Sequence, residues 1–167
     1  MRQTLRYIDL INKFVAIVLG IMLGIMSIVI VFQVLSRFSL GMPLPWSEEL
    51  ARYLMVYSVF LGAAIALRHQ KLISVEVFSE RLSWRKRRVL KTIVLLVSII
   101  FFILLFIKGI EMMDRVSSQV SPALQIPMSI PYASVPIGAV MLTLNAIAAI
   151  IDMFTNGKEE THEWAAF

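Results

Sequence analysis

Long apolar runs divided by short charged or proline-bearing stretches set the pattern of this chain. Phe14 to Ser36 is uncharged for 23 residues, enough for a helix to cross the roughly 30 Å of bilayer hydrocarbon. Gly41, Pro43 and Pro45 then make a turn that no helix continues through. A second helix is predicted from Ser47, a residue suited to an N-cap, to about Leu67. Its uncharged part, Tyr53 to Leu67, is only 15 residues, so Glu48, Glu49 and Arg52 are expected at or slightly below the headgroup level. Thr92 to Ile107 predicts a third span between the snorkelling side chains of Lys91 and Lys108, continuing past Glu111 and Asp114 to Arg115. From Val116 to Ile151 there is no charge, and Pro122, Pro127, Pro131 and Pro136 divide a stretch too long for one span. Ser121 to Pro127 reads as an ordered surface loop, and a fourth helix is predicted from near Pro131 or Pro136 to about Phe154.

The expected fold is therefore an all-α membrane protein: four transmembrane helices in one domain over residues 1–155, with a polar tail over 156–167. The run after Lys13 is longer than a signal h-region and lacks a small-residue cleavage site, which predicts a retained first span. Twelve of the sixteen Lys and Arg lie in the N-terminal segment, in residues 68–91 and in the tail. By the positive-inside rule both ends and the 68–91 segment face the cytoplasm, an N-in/C-in topology. Val75, Phe78 and Leu82 recur there at helical spacing, so this basic segment between helices 2 and 3 is expected to be partly amphipathic and to lie along the membrane. Arg85, Lys86, Arg87 and Arg88 beside Trp84 are candidates for anionic lipid headgroups. A plain topological anchor accounts for the same residues and is the favoured reading.

Composition sharpens the class. The chain is 59% hydrophobic and 16% charged, with a mean hydropathy of +0.81, against about 45–50% and 25% in soluble domains. There is no cysteine, which excludes disulfides, thiolate metal sites and a thiol nucleophile. The net charge of +5 is local and speaks to topology and lipid rather than nucleic acid. No ionisable residue falls near the centre of any span, where one would mark a proton or ion path. His69 and His162 lie in cytoplasmic segments, so they cannot pair as haem ligands in the bilayer. No P-loop, GxGxxG, HExxH or GxSxG is present. The chain is expected to be no enzyme and to hold no cofactor. Gly20 and Gly24 form a GxxxG step, and Gly62 with Ala63, Ala64 and Ala66 forms a small-residue side. Both suit close helix packing, although glycine is also common in membrane helices without such a role. Asn145 and Ser98 are read as helix-to-helix hydrogen bonders rather than substrate contacts.

The most informative stretch is the charged island from Pro45 to Tyr53, with Trp46, Glu48, Glu49 and Arg52. Helical spacing puts both acids and the arginine on one face, either as local ion pairs in the headgroup region or as a contact for a partner protein. Here the chain resembles the small membrane subunit, DctQ-like, of tripartite ATP-independent periplasmic (TRAP) transporters. The resemblance runs from about Val31 to Asp152. It rests on Arg37-Phe38, the run Pro45-Trp46-Ser47-Glu48-Glu49-Leu50-Ala51-Arg52-Tyr53, the segments Val59–Ala64 and Ala66–Arg68, and Ser121–Pro127 with Pro136 and Gly138. Where the family often has Gly-Gly-His-Ile-x-Val-Asp, this chain has Gln70-Lys71-Leu72-Ile73-Ser74-Val75-Glu76, so a role for that histidine is not carried over.

The resemblance implies a bacterial inner-membrane subunit that packs on a large multi-span permease subunit as part of a fixed scaffold. A periplasmic substrate-binding protein would deliver an organic acid, and sodium coupling would reside in the large subunit, not in this chain. Trp46, Glu48, Glu49 and Arg52 are then expected partner contacts. A membrane-anchor or adaptor subunit of another inner-membrane complex is the competing reading.

Overall fold

The computed structural model describes residues 2–39, 41, 44–69 and 84–155. Four long helices dominate: α1 (Arg2–Ser39), α2 (Pro45–Arg68), α3 (Trp84–Val116) and, after the one-turn α4 (Ser129–Tyr132), α5 (Ser134–Thr155). Within them lie four stretches long and apolar enough to cross a membrane: Leu5–Ser39, Pro45–Arg68, Val89–Val116 and Ser129–Phe154. The all-helical, four-span architecture expected from the apolar runs is the one observed.

Helix boundaries differ from the sequence expectations in three places. The charged lead-in before Phe14 is continuous with the first span, so α1 is one unbroken helix of 38 residues. The second helix starts at Pro45, which supplies the fixed φ of a first turn. Ser47 is thus inside that turn and is not an N-cap: its hydroxyl and its N–H both donate to the Leu44 carbonyl. The third helix is already formed at Trp84, ahead of the span placed at Thr92–Ile107, because Arg, Lys and Leu are good helix formers. Arg85 to Arg88 therefore belong to its first turns, where the Lys86 side chain is exposed. The Arg85, Arg87 and Arg88 side chains, the amphipathic pattern at Val75, Phe78 and Leu82, the departure at Gln70–Glu76 and the polar tail lie outside the described residues.

Packing follows a row rather than a closed bundle. α1 packs on α2, α2 on α5 and α5 on α3, and α1 reaches α5 only marginally. Along α1 the shielded positions recur with a seven-residue repeat: Leu5, Asn12, Leu19, Met26 and Gln33 alternate with Ile8, Val15, Met22, Val29 and Ser36. That spacing is the seam of a left-handed helix pair. α5 is the most enclosed span, with Ala139, Ala146, Ala148 and Ala149 buried. A cluster of Ala64, Leu67, Leu142 and Ala146 joins it to α2, and Leu95, Ile99 and Phe102 of α3 pack against that cluster.

Small residues set how closely these helices approach, since lipid offers no hydrophobic drive for helix association. A Cβ at Gly138 would lie 2.5 Å from the Cβ of Phe60 on α2. One at Gly109 would lie 2.9 Å from Cδ of Pro136, so α3 touches the start of α5. A Cβ at Gly62 would meet α1 only at ordinary contact, 3.7 Å from Leu19 Cδ2. Gly20 and Gly24 have nothing within 4 Å of an added Cβ, so among the described residues no helix packs on their GxxxG step.

Phe60 Cβ is fixed to its backbone, so no rotamer change can make room at Gly138. Gly138→Ala is expected to destabilise the fold by about 1–3 kcal/mol, and Gly62→Ala to be neutral or slightly stabilising. Thermal unfolding of both variants in detergent distinguishes the two sites.

Candidate functional site

Two polar assemblies hold the ends of the row. At the loop end, where α1 meets α2 and α3 meets α5, Glu49 turns inward from the first turns of α2. One carboxylate oxygen accepts the backbone N–H groups of Ala123 (3.0 Å) and Leu124 (2.8 Å). The other accepts the Tyr53 hydroxyl at 2.5 Å. Tyr53 also lies 3.5 Å from the Met128 sulfur, and one turn on the Tyr57 hydroxyl donates to the Ile130 carbonyl at 2.6 Å. Acid, tyrosine and tyrosine at four-residue spacing thus present one polar stripe of α2 to residues 121–130.

The loop itself is built to be held this way. Ser121 N–H donates to the Ile126 carbonyl (2.9 Å), and Met128 N–H donates to Gln119 (2.9 Å), closing a tight hairpin. Gln125 takes the left-handed conformation, φ 54°. Ser121 is fully buried, and its hydroxyl accepts the Ile126 N–H. The turn points the Ala123 and Leu124 amides at the space that Glu49 fills. Successive N–H groups of this kind form an anion-binding concavity, and here the anion is the protein's own carboxylate. The ordered loop expected at Ser121–Pro127 is present.

The rest of the island does not form the local ion pairs that were one of its two readings. Glu48 is exposed and accepts a hydrogen bond from Gln33 of α1 at 2.8 Å. Trp46 is 38% exposed at the helix start. Arg52 is exposed, and among the described residues no ion pair joins it to Glu48 or Glu49. The spacing that allowed a local charge cluster is satisfied, but loop amides and Gln33 capture both carboxylates.

At the opposite end, where α1 begins and α5 ends, Arg68 bridges Asp9 of α1 and Asp152 of α5. Its Nη2 lies 2.8 Å from Asp9 Oδ1, and its Nη1 donates to Asp152. Deeper along the same three helices, Asn12 and Asn145 exchange amide hydrogen bonds of 2.6 and 2.8 Å. Asn145 also donates to the Ala64 carbonyl at 2.7 Å. Asn145 is thus the helix-to-helix bonder expected, whereas Ser98 makes no such bond among the described residues. The three-helix joint at Asp9, Asn12, Arg68 and Asp152 was not foreseen. Its signal in the sequence is one acid in a basic lead-in, with single opposite charges closing the second and fourth spans at the same membrane level. Lys108 and Glu111 form one further pair, at 2.9 Å on the exposed side of α3.

Both assemblies are joints between elements. Each polar group is spent on fixing one helix or loop against another, and among the described residues no three His, Asp or Glu side chains converge as a metal site. Four membrane-length helices held by polar joints define a polytopic membrane protein. The sequence profile of "Tripartite ATP-independent periplasmic transporters, DctQ component" matches residues 26–156, and the chain belongs to that family, the small subunits of TRAP transporters.

Relatives agree. The ectoine TRAP transporter small permease protein TeaB of Halomonas elongata is 29% identical over 149 residues, 88% of this chain and 77% of that protein. The sialic acid TRAP transporter small permease protein SiaQ of Vibrio cholerae is 29% identical over 147 residues, 86% and 83% of the two chains. The sialic acid TRAP transporter permease protein SiaT of Haemophilus influenzae is 28% identical over 130 residues, 78% of this chain but only 21% of that protein. With four membrane-crossing helices, the chain is a multi-pass protein of the inner membrane. The matched region takes in Glu49, the 121–128 loop, Arg68, Asn145 and Asp152, and leaves out Asp9 and Asn12.

Two measurements check these assemblies. Glu49→Ala should speed amide hydrogen exchange at Ala123 and Leu124 by about tenfold or more, since their acceptor is removed. Arg68→Ala should lower stability by about 1–3 kcal/mol, and Asn145→Ala by roughly 0.6–1.7 kcal/mol, both read from unfolding in detergent.

Proposed function

We propose that this chain packs on a large permease subunit as part of the fixed scaffold of a TRAP transporter. The working cycle is then sodium-coupled uptake of an organic acid delivered by a periplasmic binding protein, with the sodium sites in the large subunit. One observation carries the reading: the family match covers all four spans except the first part of α1, and among the described residues the polar groups shared between those spans join one element to another. The match to SiaT supports a physical partnership, because there the corresponding region makes up about a fifth of one longer permease protein.

Two relatives equally identical to this chain are named for different solutes, ectoine and sialic acid. That supports a subunit whose sequence does not choose the substrate. In the proposed orientation the Arg68 joint and the basic first turns of α3 face the cytoplasm, as the positive-inside rule requires. The Glu49 clasp and its loop face the periplasm. Trp46, Glu48 and Arg52 offer the partner contact there, while Glu49 serves it indirectly through the loop it holds.

Reconstitution into liposomes tests this. Sodium-driven accumulation of the binding protein's ligand is expected only when this chain, the large subunit and the binding protein are all present. Uptake by this chain alone, or undiminished uptake without it, would refute the proposal.

A further inference from the structure

The exposed residues of α2 do not scatter: after Trp46 they are Glu48, Arg52, Met55, Val59 and Ala63, one stripe running from the loop end towards the middle of the span. Every other face of this helix is at least partly covered by α1, α5 or the 121–130 segment. Met55 is 51% and Val59 62% exposed. The stripe narrows with depth, from arginine through methionine and valine to alanine, a gradient that lets a second helix approach most closely near the middle. The outward face of α3 contrasts with it, presenting bulky Ile93, Val97, Ile100, Phe101 and Leu104, the surface that lipid tails accept.

Arg52 heads this stripe without a counter-charge. Glu48 is engaged by Gln33, Glu49 by the loop amides and Tyr53, and among the described residues Arg52 has no ion pair or side-chain hydrogen bond. The apolar part of α2 below it is 15 residues, roughly 22 Å long, shorter than the hydrocarbon, so the guanidinium sits at or under the headgroup plane. A cation at that depth is costly unless an acceptor reaches it. A guanidinium fork matches a carboxylate in a two-bond geometry.

We infer that Arg52, Met55, Val59 and Ala63 form the docking line for a transmembrane helix of the large permease subunit, one carrying an Asp or Glu at its periplasmic end to pair with Arg52. This rests on the proposed partnership and specifies its surface. The helix lies along α2 between α1 and α5, with its closest approach at Ala63 and its ion pair at the membrane edge.

The natural absence of cysteine permits a clean test in the assembled transporter in membranes. Single substitutions Val59→Cys and Ala63→Cys should cross-link to a cysteine series on the large subunit, and Ile100→Cys on α3 should not. Arg52→Glu should reduce co-purified large subunit by about tenfold or more with unchanged insertion of this chain, and Arg52→Lys should restore most of it. Absence of association for the wild-type pair would remove the partnership itself. Wild-type association with unaltered recovery of Arg52→Glu, or cross-links from Ile100→Cys and none from Val59→Cys, would overturn the docking line alone. Recovery of Arg52→Glu that falls only in bilayers containing anionic lipid would assign Arg52 to phosphate and overturn it equally.

Discussion

Close approach of α5 to its neighbours is the constraint on which the rest of the subunit depends. Gly138 lets α5 lie against Phe60 of α2, and Gly109 lets α3 lie against Pro136. Only at that separation does Asn145 reach both the Ala64 carbonyl and Asn12, and only then does Asp152 meet Arg68. The loop end follows the same logic, since the 121–130 segment must be brought beside α2 before Glu49 and Tyr57 can bind it. In lipid, water is not there to satisfy a stray amide or carboxylate, so each of these groups has to be placed against a partner.

The arrangement explains why the subunit is rich in polar contacts and poor in chemistry. Polar bonds between membrane helices are individually modest, because the separated helices also find partners. Their contribution is geometric. Two polar joints, one at each end of the row, fix the tilt and register of helices whose middles are held by alanine, glycine and leucine. An open row also leaves wide apolar faces on α1, α2 and α3, the kind of surface that lipid tails or another membrane helix can cover.

Much of this was legible in the order of residues. Spans, turns and the ordered loop at Ser121–Pro127 follow from charge-free lengths and proline positions, because bilayer thickness imposes a fixed ruler. The island from Pro45 to Tyr53 also stood out as chemically unusual. What it does could not be read locally: Glu49 is turned inward by the amides of Ala123 and Leu124, more than seventy residues away. Ser47 looked like a cap but lies inside a helix that proline had already started. The seam on α1 was equally hidden, since a helix that is apolar all round gives no periodic contrast between its packed and exposed faces. Arg68 counted only towards topology, and the fold shows that it meets Asp9 and Asp152.

The central claim is that this subunit is a fixed support that does not rearrange during transport. Bridging α2 to α5 tests it most directly, using a bifunctional thiol reagent between Ala64→Cys and Leu142→Cys, positions that share one packed cluster. Sodium-driven uptake by the assembled transporter should be the same before and after bridging. A loss of uptake on bridging that reduction reverses would show that these helices move, and would contradict the account.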